Sequence, residues 1–430
     1  MEIRFLLFEN RPDGPKCERA KDDPIAACAP AVTPPDCHHR SGVIFLWAES
    51  VSVLAGASSA APAQAQNFEI VPRHKGGRQW LARADAYSVG LAFVNGEIDV
   101  YGDFVAAVRY QLSQSATTFR RQFFDAVCRW NPWRLTQAWG TRGAAARNIR
   151  FHYDRSNEFY KLFLDSQMVY SCAYFDRPDA TLDEAQAAKL DHICRKLVLH
   201  PGDRFLDIGC GWGALVRHAA RCFGAHADGC TLSDRQFEYA TERIRREGLA
   251  EQAAIREMDY RDLTGTFDKI SSVGMVEHVG RAHLEEYFRT VSKLLAPEGL
   301  FLNHGITRPS PVQSDAQSLF IARAVFPGGQ IVCLHEVIHA AENAGFEVLD
   351  VENLRRHYAL TCRAWVDRLM AQRRACLQVV DEATWRTWRL YLAGSSIAFD
   401  EGGLGLHQVL LAKRGSNGAA PMTRTYVYPH

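Results

Sequence analysis

The stretch Phe205-Leu206-Asp207-Ile208-Gly209-Cys210-Gly211-Trp212-Gly213 decides how the chain is read. Arg204–Ile208 carries the apolar run of a buried strand, and it passes without a spacer into three alternate glycines. Glycine tolerates positive φ and lets backbone approach a ligand closely. A helix fits Ala214–Cys222, and the first N–H groups of a helix have no partner within it. Strand, glycine loop and helix start in that order suit a nucleotide-like ligand at the carboxyl ends of parallel strands.

Outward from this loop, strands and helices alternate. Ala227–Thr231, Ala253–Arg256, Lys269–Val273 and Leu300–His304 read as strands, and Asp234–Glu247 and Arg281–Leu294 as helices. Repeated β-α units of this length predict an α/β fold with a parallel, doubly wound sheet. The last strands fall at Phe346–Val351 and His407–Ala412. Between them, Thr361–Val379 and Thr384–Phe399 read as helices, an insertion placed to form a lid over the carboxyl edge of the sheet. Trp365, Leu369, Trp385, Trp388, Tyr391 and Leu392 form an apolar stripe on these helices, which core packing explains for the most part.

Upstream, residues 67–150 are expected to form a small N-terminal domain. It would hold a helix and strand over Ala86–Tyr101, turning at Asn95-Gly96, and helices at Phe104–Leu112 and Phe119–Trp130. Arg120, Arg121 and Arg129 stand beside Phe123, Phe124 and Trp130. Such a helix can lie on an anionic membrane, although a solvated helix face packed on its neighbour is the reading preferred. Residues 1–66 are rich in Ala and Pro and are expected to be a disordered or non-native extension. The apolar run Gly42–Leu54 contains Glu49 and is too short to span a bilayer, which needs about 20 apolar residues. Ala61-Pro62-Ala63-Gln64-Ala65 loosely mimics a signal cleavage site, but the run begins far from the start. Residues 416–430 are read as a tail.

With 430 residues, 47% of them hydrophobic and 23% charged, the chain has the composition of a soluble protein of two folded units plus extensions. A net charge of +1 gives no pointer to nucleic acid and leaves room for a local membrane-facing patch. The 12 cysteines contain no C-x-x-C pair and read as reduced thiols of a cytoplasmic protein. Cys37-His38-His39 is the one tight Cys/His cluster, and no metal site is expected there.

The glycine spacing separates two cofactor classes. A dinucleotide fingerprint is G-x-G-x-x-G with an acid at the end of the second strand. Here the pattern is Asp207-Ile208-Gly209-Cys210-Gly211-Trp212-Gly213, and the second strand ends in Gly229-Cys230-Thr231-Leu232-Ser233. The first motif resembles that of S-adenosylmethionine-dependent methyltransferases, which often also place an acid after the second strand.

A set of segments in order resembles the cyclopropane fatty acid synthase family, which includes the mycolic acid cyclopropane synthases. They are His152-Tyr153-Asp154 with Asn157, Tyr170-Ser171-Cys172-Ala173-Tyr174, Leu206–Gly213, and Thr231-Leu232-Ser233 with Gln236. Asp259-Tyr260-Arg261-Asp262, Val273–Gly280 and His304-Gly305-Ile306 complete the set. The resemblance runs from about Phe151 to Ala412, and residues 86–101 resemble the small N-terminal domain of longer members. It implies a Rossmann-like class I methyltransferase domain over 151–415 and accounts for Thr and Ser at the second strand end.

The resemblance also implies roles. Tyr170 and Ser171 would lie by S-adenosylmethionine. Asp207, Gly209, Cys210 and Gly211 belong to the loop, whose glycines would contact the methionine part. Thr231, Leu232 and Gln236 would sit by the ribose, and Asp259, Tyr260 and Arg261 by the adenine. A bound bicarbonate ion would serve as general base, at the positions of Cys172, Glu277, His304, Ile306 and Tyr358. His304, Tyr358 and backbone N–H groups at Cys172 or Ile306 would donate to it. Glu277 would orient His304 or share the ion's proton, since two bare anions repel. Cys172 is not expected to be a nucleophile.

The implied reaction is methylene addition across a cis double bond in an acyl chain of a membrane phospholipid. Some lid residues would then line an acyl channel, the membrane contact would be peripheral, and a homodimer would form through the N-terminal domain. Methylation without ring closure uses the same first-step residues and stays open as the alternative.

Overall fold

The computed structural model describes residues 67–74, 77, 86–116, 156–309, 330–416 and 420–428. The extension 1–66 with its Cys37-His38-His39 cluster, the expected helix Phe119–Trp130 and the motif His152-Tyr153-Asp154 lie outside them.

The described chain begins with β1 (Phe68–Pro72), α1 (Ala86–Val94), β2 (Ile98–Gly102) and α2 (Phe104–Ala116). A short helix α3 (Asn157–Lys161) precedes α4 (Leu182–Lys196). Then come β3 (Arg204–Ile208), α5 (Ala214–Phe223), β4 (His226–Thr231), α6 (Asp234–Arg246), β5 (Ala253–Glu257) and β6 (Phe267–Val273). After α7 (Val276–Val279) and α8 (Leu284–Leu294) run β7 (Leu295–Arg308), β8 (Val332–Cys333), α9 (Leu334–Asn343) and β9 (Phe346–Asn353). The lid helices α10 (Arg355–Ala371), α11 (Arg373–Val379) and α12 (Glu382–Asp400) lead into β10 (Gly405–Lys413).

The large sheet runs β5-β4-β3-β6-β7-β10-β9, with β8 paired on β7. Its strands send alternate side chains to opposite faces. Phe205, Leu300, Leu302 and Leu410 pack on one side with Ile193 of α4 and Val216 of α5. Leu206, Ile270, Phe301 and Val409 pack on the other with Phe288 and Val291 of α8 and Val337 of α9. Burying each of these large side chains stabilises the fold by about 1.5–3 kcal/mol. The expected doubly wound sheet is present.

One strand departs from the parallel pattern. Strand β10 pairs antiparallel with both β7 and β9. The lid explains the reversal: β9 delivers the chain to the carboxyl edge, α10–α12 stay there, and β10 must re-enter from that same edge. Gly405 accordingly opposes Thr307 near the end of β7.

The lid differs from its sequence reading in a second way. The helix expected at Thr361–Val379 starts at Arg355 and breaks at Gln372, whose φ/ψ of −97°/19° leaves the helix and starts α11. Tyr358 therefore stands in the first turn of α10.

Strands β1 and β2 pair antiparallel, and α1 and α2 pack against the lid helix α12. Val89, Phe93 and Phe104 share one core with Trp365, Trp385, Trp388 and Leu392. Arg386 of α12 is 2% exposed and joins the two parts. Its guanidinium donates to the carbonyls of Phe93 (3.0 Å) and Ile98 (3.1 Å), to Asp99 (2.5 Å) and to Glu382 (3.0 Å). No helix among the described residues is long and apolar enough to cross a membrane.

Candidate active site

A cavity opens at the carboxyl ends of β3, β4 and β6, where the topology reverses direction. All twelve residues expected around a cofactor line it: Tyr170 and Ser171, Asp207, Gly209, Cys210 and Gly211, Thr231, Leu232 and Gln236, and Asp259, Tyr260 and Arg261. Met168, Lys189, Trp212, Met275, His278 and His283 line it as well, and sequence reading did not single them out for this role.

The glycine loop needs its glycines. Gly209, Gly211 and Gly213 have φ of +77°, +55° and +75°, which side chains rarely adopt. The N–H groups of Gly209 and Cys210 both donate to the Cys230 carbonyl at 3.0 Å, tying the loop to the end of β4. A Cβ at Gly209 would stand 2.5 Å from Cγ of Met275, on the cavity wall. Gly209→Ala is therefore expected to displace Met275 and to weaken S-adenosylhomocysteine binding at least about tenfold, read by calorimetry. Binding within twofold of the parent would sink this account of the loop.

Neighbouring side chains hold the wall in place. Asn157 accepts from the Trp212 indole N–H at 2.9 Å, which gives that motif residue a structural task. Asp207 is 3% exposed and accepts from the Ser271 hydroxyl at 2.6 Å. Burial pushes its carboxyl up to about 6, against the pull of Ser271 and of the Lys189 charge. Thr231 donates to Gln236 Oε1 at 2.8 Å and accepts from the Ser233 N–H at 3.2 Å, so it fixes the amide of Gln236. Asp259 pairs with Arg261 at 2.5 Å and accepts the Arg261 N–H at 3.0 Å. Tyr260 stands edge-on to Tyr287 at 5.7 Å. On the opposite wall, Met168 has a φ of +62°, held by Asp165, which accepts from the N–H groups of Gln167 (2.9 Å) and Val169 (2.8 Å).

The five residues expected at an anion, Cys172, Glu277, His304, Ile306 and Tyr358, are not on the wall of this cavity but border it through their neighbours. Cys172 follows Ser171, Glu277 precedes His278, and the His304 carbonyl accepts from the Gly274 N–H at 2.8 Å. Burial raises the pKa of the Tyr358 phenol, and Cys172 and Glu277 stand near enough to add to that shift.

Two expected contacts are corrected. Glu277 does not orient His304. Its Oε1 accepts the Ile306 N–H at 2.6 Å, so that N–H is already engaged and does not point to an anion. Strand pairing sets Gln408 opposite His304, and the Gln408 amide bonds the His304 Nδ1 at 3.1 Å. With the amide donating, His304 carries its proton on Nε2. Burial drives its pKa well below the usual histidine value, so the ring is neutral.

Among the buried polar atoms of the described residues that lack a hydrogen-bond partner are Glu277 Oε2, His304 Nε2 and, beside the latter, Gln408 Oε1. Burial pushes the Glu277 carboxyl up to about 7, against the pull of the Ile306 bond. The Cys172 thiol is fully buried, donates to the Ala173 carbonyl at 3.2 Å, and has its pKa raised by burial, so it stays protonated. Above these residues stands an aromatic wall. Tyr170 lies 5.1 Å from Trp365 and 5.9 Å from Trp388, and Tyr358 stacks on Phe399 at 4.4 Å. Among the described residues no group of His, Cys, Asp and Glu is arranged to hold a metal ion.

Residues 141–409 match the family model described as mycolic acid cyclopropane synthetase. A protein named probable fatty acid methyltransferase, from Pseudomonas putida, is 43% identical over 356 residues, covering 81% of this chain and 88% of its own. The solved structure of the cyclopropane synthase MmaA2 from Mycobacterium tuberculosis superposes with a TM-score of 0.61 at 32% identity, over 62% of this chain and 98% of that one. The mycolic acid cyclopropane synthase CmaA1, solved with SAH and CTAB, gives 0.60 at 32% identity over the same shares.

Proposed function

Because the chain belongs to the mycolic acid cyclopropane synthetase family, we propose that it is an S-adenosylmethionine-dependent C-methyltransferase that forms a cyclopropane at a cis double bond of a phospholipid acyl chain. The observation that carries this reading is the pair of buried, unpartnered atoms, Glu277 Oε2 and His304 Nε2, beside the glycine-loop cavity. Methyl transfer to the alkene leaves a carbocation, and closing the ring takes a proton from the transferred methyl, so a buried group or ion must stand there to accept it; a base elsewhere, or water, would give the open-chain products.

The cavity fits the cofactor. Gly211 lines it, and a Cβ there would meet nothing within 4 Å, so the loop leaves space that a side chain would fill. The twelve wall residues supply carboxylates, hydroxyls, amides and an aromatic ring for an amino-acid end, a ribose and an adenine. Bound there, S-adenosylmethionine supplies a sulfonium methyl group, and a bicarbonate ion beside it would supply the base. In this reading neutral His304 and the Tyr358 phenol donate to the anion. Glu277, titrating near neutrality, shares its proton instead of repelling it. Gln408 is a positioning residue that fixes the proton of His304. Tyr170, Trp365 and Tyr358 present ring faces that exclude water and favour a cationic acyl chain. Cytoplasmic location and peripheral membrane contact belong to the same proposal.

Methyl transfer without ring closure is the second reading, favoured by the name of the Pseudomonas putida relative. Gas chromatography with mass spectrometry of fatty acids from expressing cells separates the two. A product heavier by one CH2 that resists hydrogenation is expected. A heavier product that hydrogenates or carries a hydroxyl would transfer the conclusion to the second reading, and an unchanged fatty acid profile would remove both.

A further inference from the structure

Helix α4 buries a stripe that includes Leu182, Gln186, Lys189, Ile193 and Lys196. Two lysines therefore face inward, in a row that also holds the neutral amide of Gln186. Lys196 is neutralised by Glu352 at 2.6 Å and Asp350 at 3.3 Å. Lys189 is not. It is 2% exposed, and its ammonium donates to the Ser171 hydroxyl at 2.8 Å, with no carboxylate of the described residues paired to it. The nearby acids are engaged elsewhere: Asp165 by two backbone N–H groups and Asp207 by Ser271. A buried ammonium without a counter-charge is costly, and burial has drawn the Lys189 pKa down to about 8.

Lys189 also lines the cofactor cavity, at the wall shared by Ser171, Asp207 and Gly209. That wall offers one cationic and one anionic side chain. The amino-acid end of S-adenosylmethionine carries one group of each sign.

We propose that Lys189 binds the carboxylate at the amino-acid end of the cofactor, steadied by Ser171. This rests on the reading that the cavity takes S-adenosylmethionine. The ligand supplies the missing counter-charge, and the lysine selects for adenosyl compounds that keep the carboxylate.

Calorimetric titrations of the full chain with S-adenosylhomocysteine and with its decarboxylated analogue test the assignment. The parent protein is expected to bind S-adenosylhomocysteine about 10–100-fold more tightly than the analogue, the range of a charge-assisted hydrogen bond. Lys189→Met is expected to lose that preference, weakening S-adenosylhomocysteine by the same factor and leaving the analogue within twofold, with an unlowered melting temperature. Equal affinity of the parent for both ligands overturns the proposal without requiring any variant. So does a Lys189→Met protein that weakens both ligands alike, which marks a structural lysine. A parent that binds neither ligand overturns the cofactor reading itself, a result distinct from the other two.

Discussion

Glu277→Gln is expected to lower product formation about 10³-fold, the scale of a lost acid–base group, and at the same time to stabilise the protein at alkaline pH. The two effects share one cause. The carboxyl is held by the Ile306 N–H through Oε1, while Oε2 is sealed from solvent without a partner. Its folded pKa of about 7 lies above the ordinary 4.5, so the folded state holds the proton more firmly than the unfolded one. The contribution to stability is fully present below about pH 4.5 and is lost as pH rises through 7. Glutamine keeps an acceptor for Ile306 and has no charge to bury. Thermal melts at pH 5 and pH 8 should show the variant gaining about 2 kcal/mol on the parent between them. A variant that loses activity and is also less stable at pH 8 would contradict this assignment of the site.

Arg386→Ala carries the largest expected loss of stability, about 3 kcal/mol, because it leaves the Phe93 and Ile98 carbonyls without their donor and takes from the partly buried Asp99 one of its two arginine partners. Burial alone would push the Asp99 carboxyl up, but the bonds from Arg386 and Arg73 outweigh it and hold it below its ordinary value. A depressed carboxyl contributes stability above its unfolded pKa, and that contribution is lost as pH falls through the folded value. The difference between Arg386→Ala and the parent should therefore narrow in acid. Urea melts at pH 7 and pH 3 measure it, and limited proteolysis should find new cleavage between Phe68 and Ala116 as β1–α2 loosen from α12. A loss under about 1 kcal/mol with an unchanged cleavage pattern would show that apolar packing alone holds the two parts together.

What the sequence made legible was local or strongly patterned. The glycine loop follows its strand directly, so β3, the loop and α5 were readable from a single stretch, and motifs at the ends of β3, β4 and β5 fall together on the wall of one cavity. The antiparallel course of β10 was not readable, because it depends on which edge of the sheet the lid leaves the chain. Nor was the partner of His304, since Gln408 lies 104 residues away and only strand register brings the two together. A separation of 29 residues likewise hid the partner of Glu277, a backbone N–H on β7. Lys189 left a signal that was available: a lysine on the buried stripe of an amphipathic helix, where solvent cannot be its partner.

Strand β10 sits between β7 and β9 in space but is made after both. While residues 354–404 are being synthesised, at about 5–20 residues per second, β7 and β9 each present an unpaired edge for roughly 3–10 s. Those edges present unpaired N–H and C=O groups, and they can pair with each other or with another chain before their proper neighbour arrives. The half-made protein is thus at its most aggregation-prone once the lid has been translated and before β10 follows it. Because Gln408 arrives on the same strand, the bond that fixes the proton of His304 cannot form until that hazard has passed. Closing the sheet and arming the site are one event in the life of each new molecule.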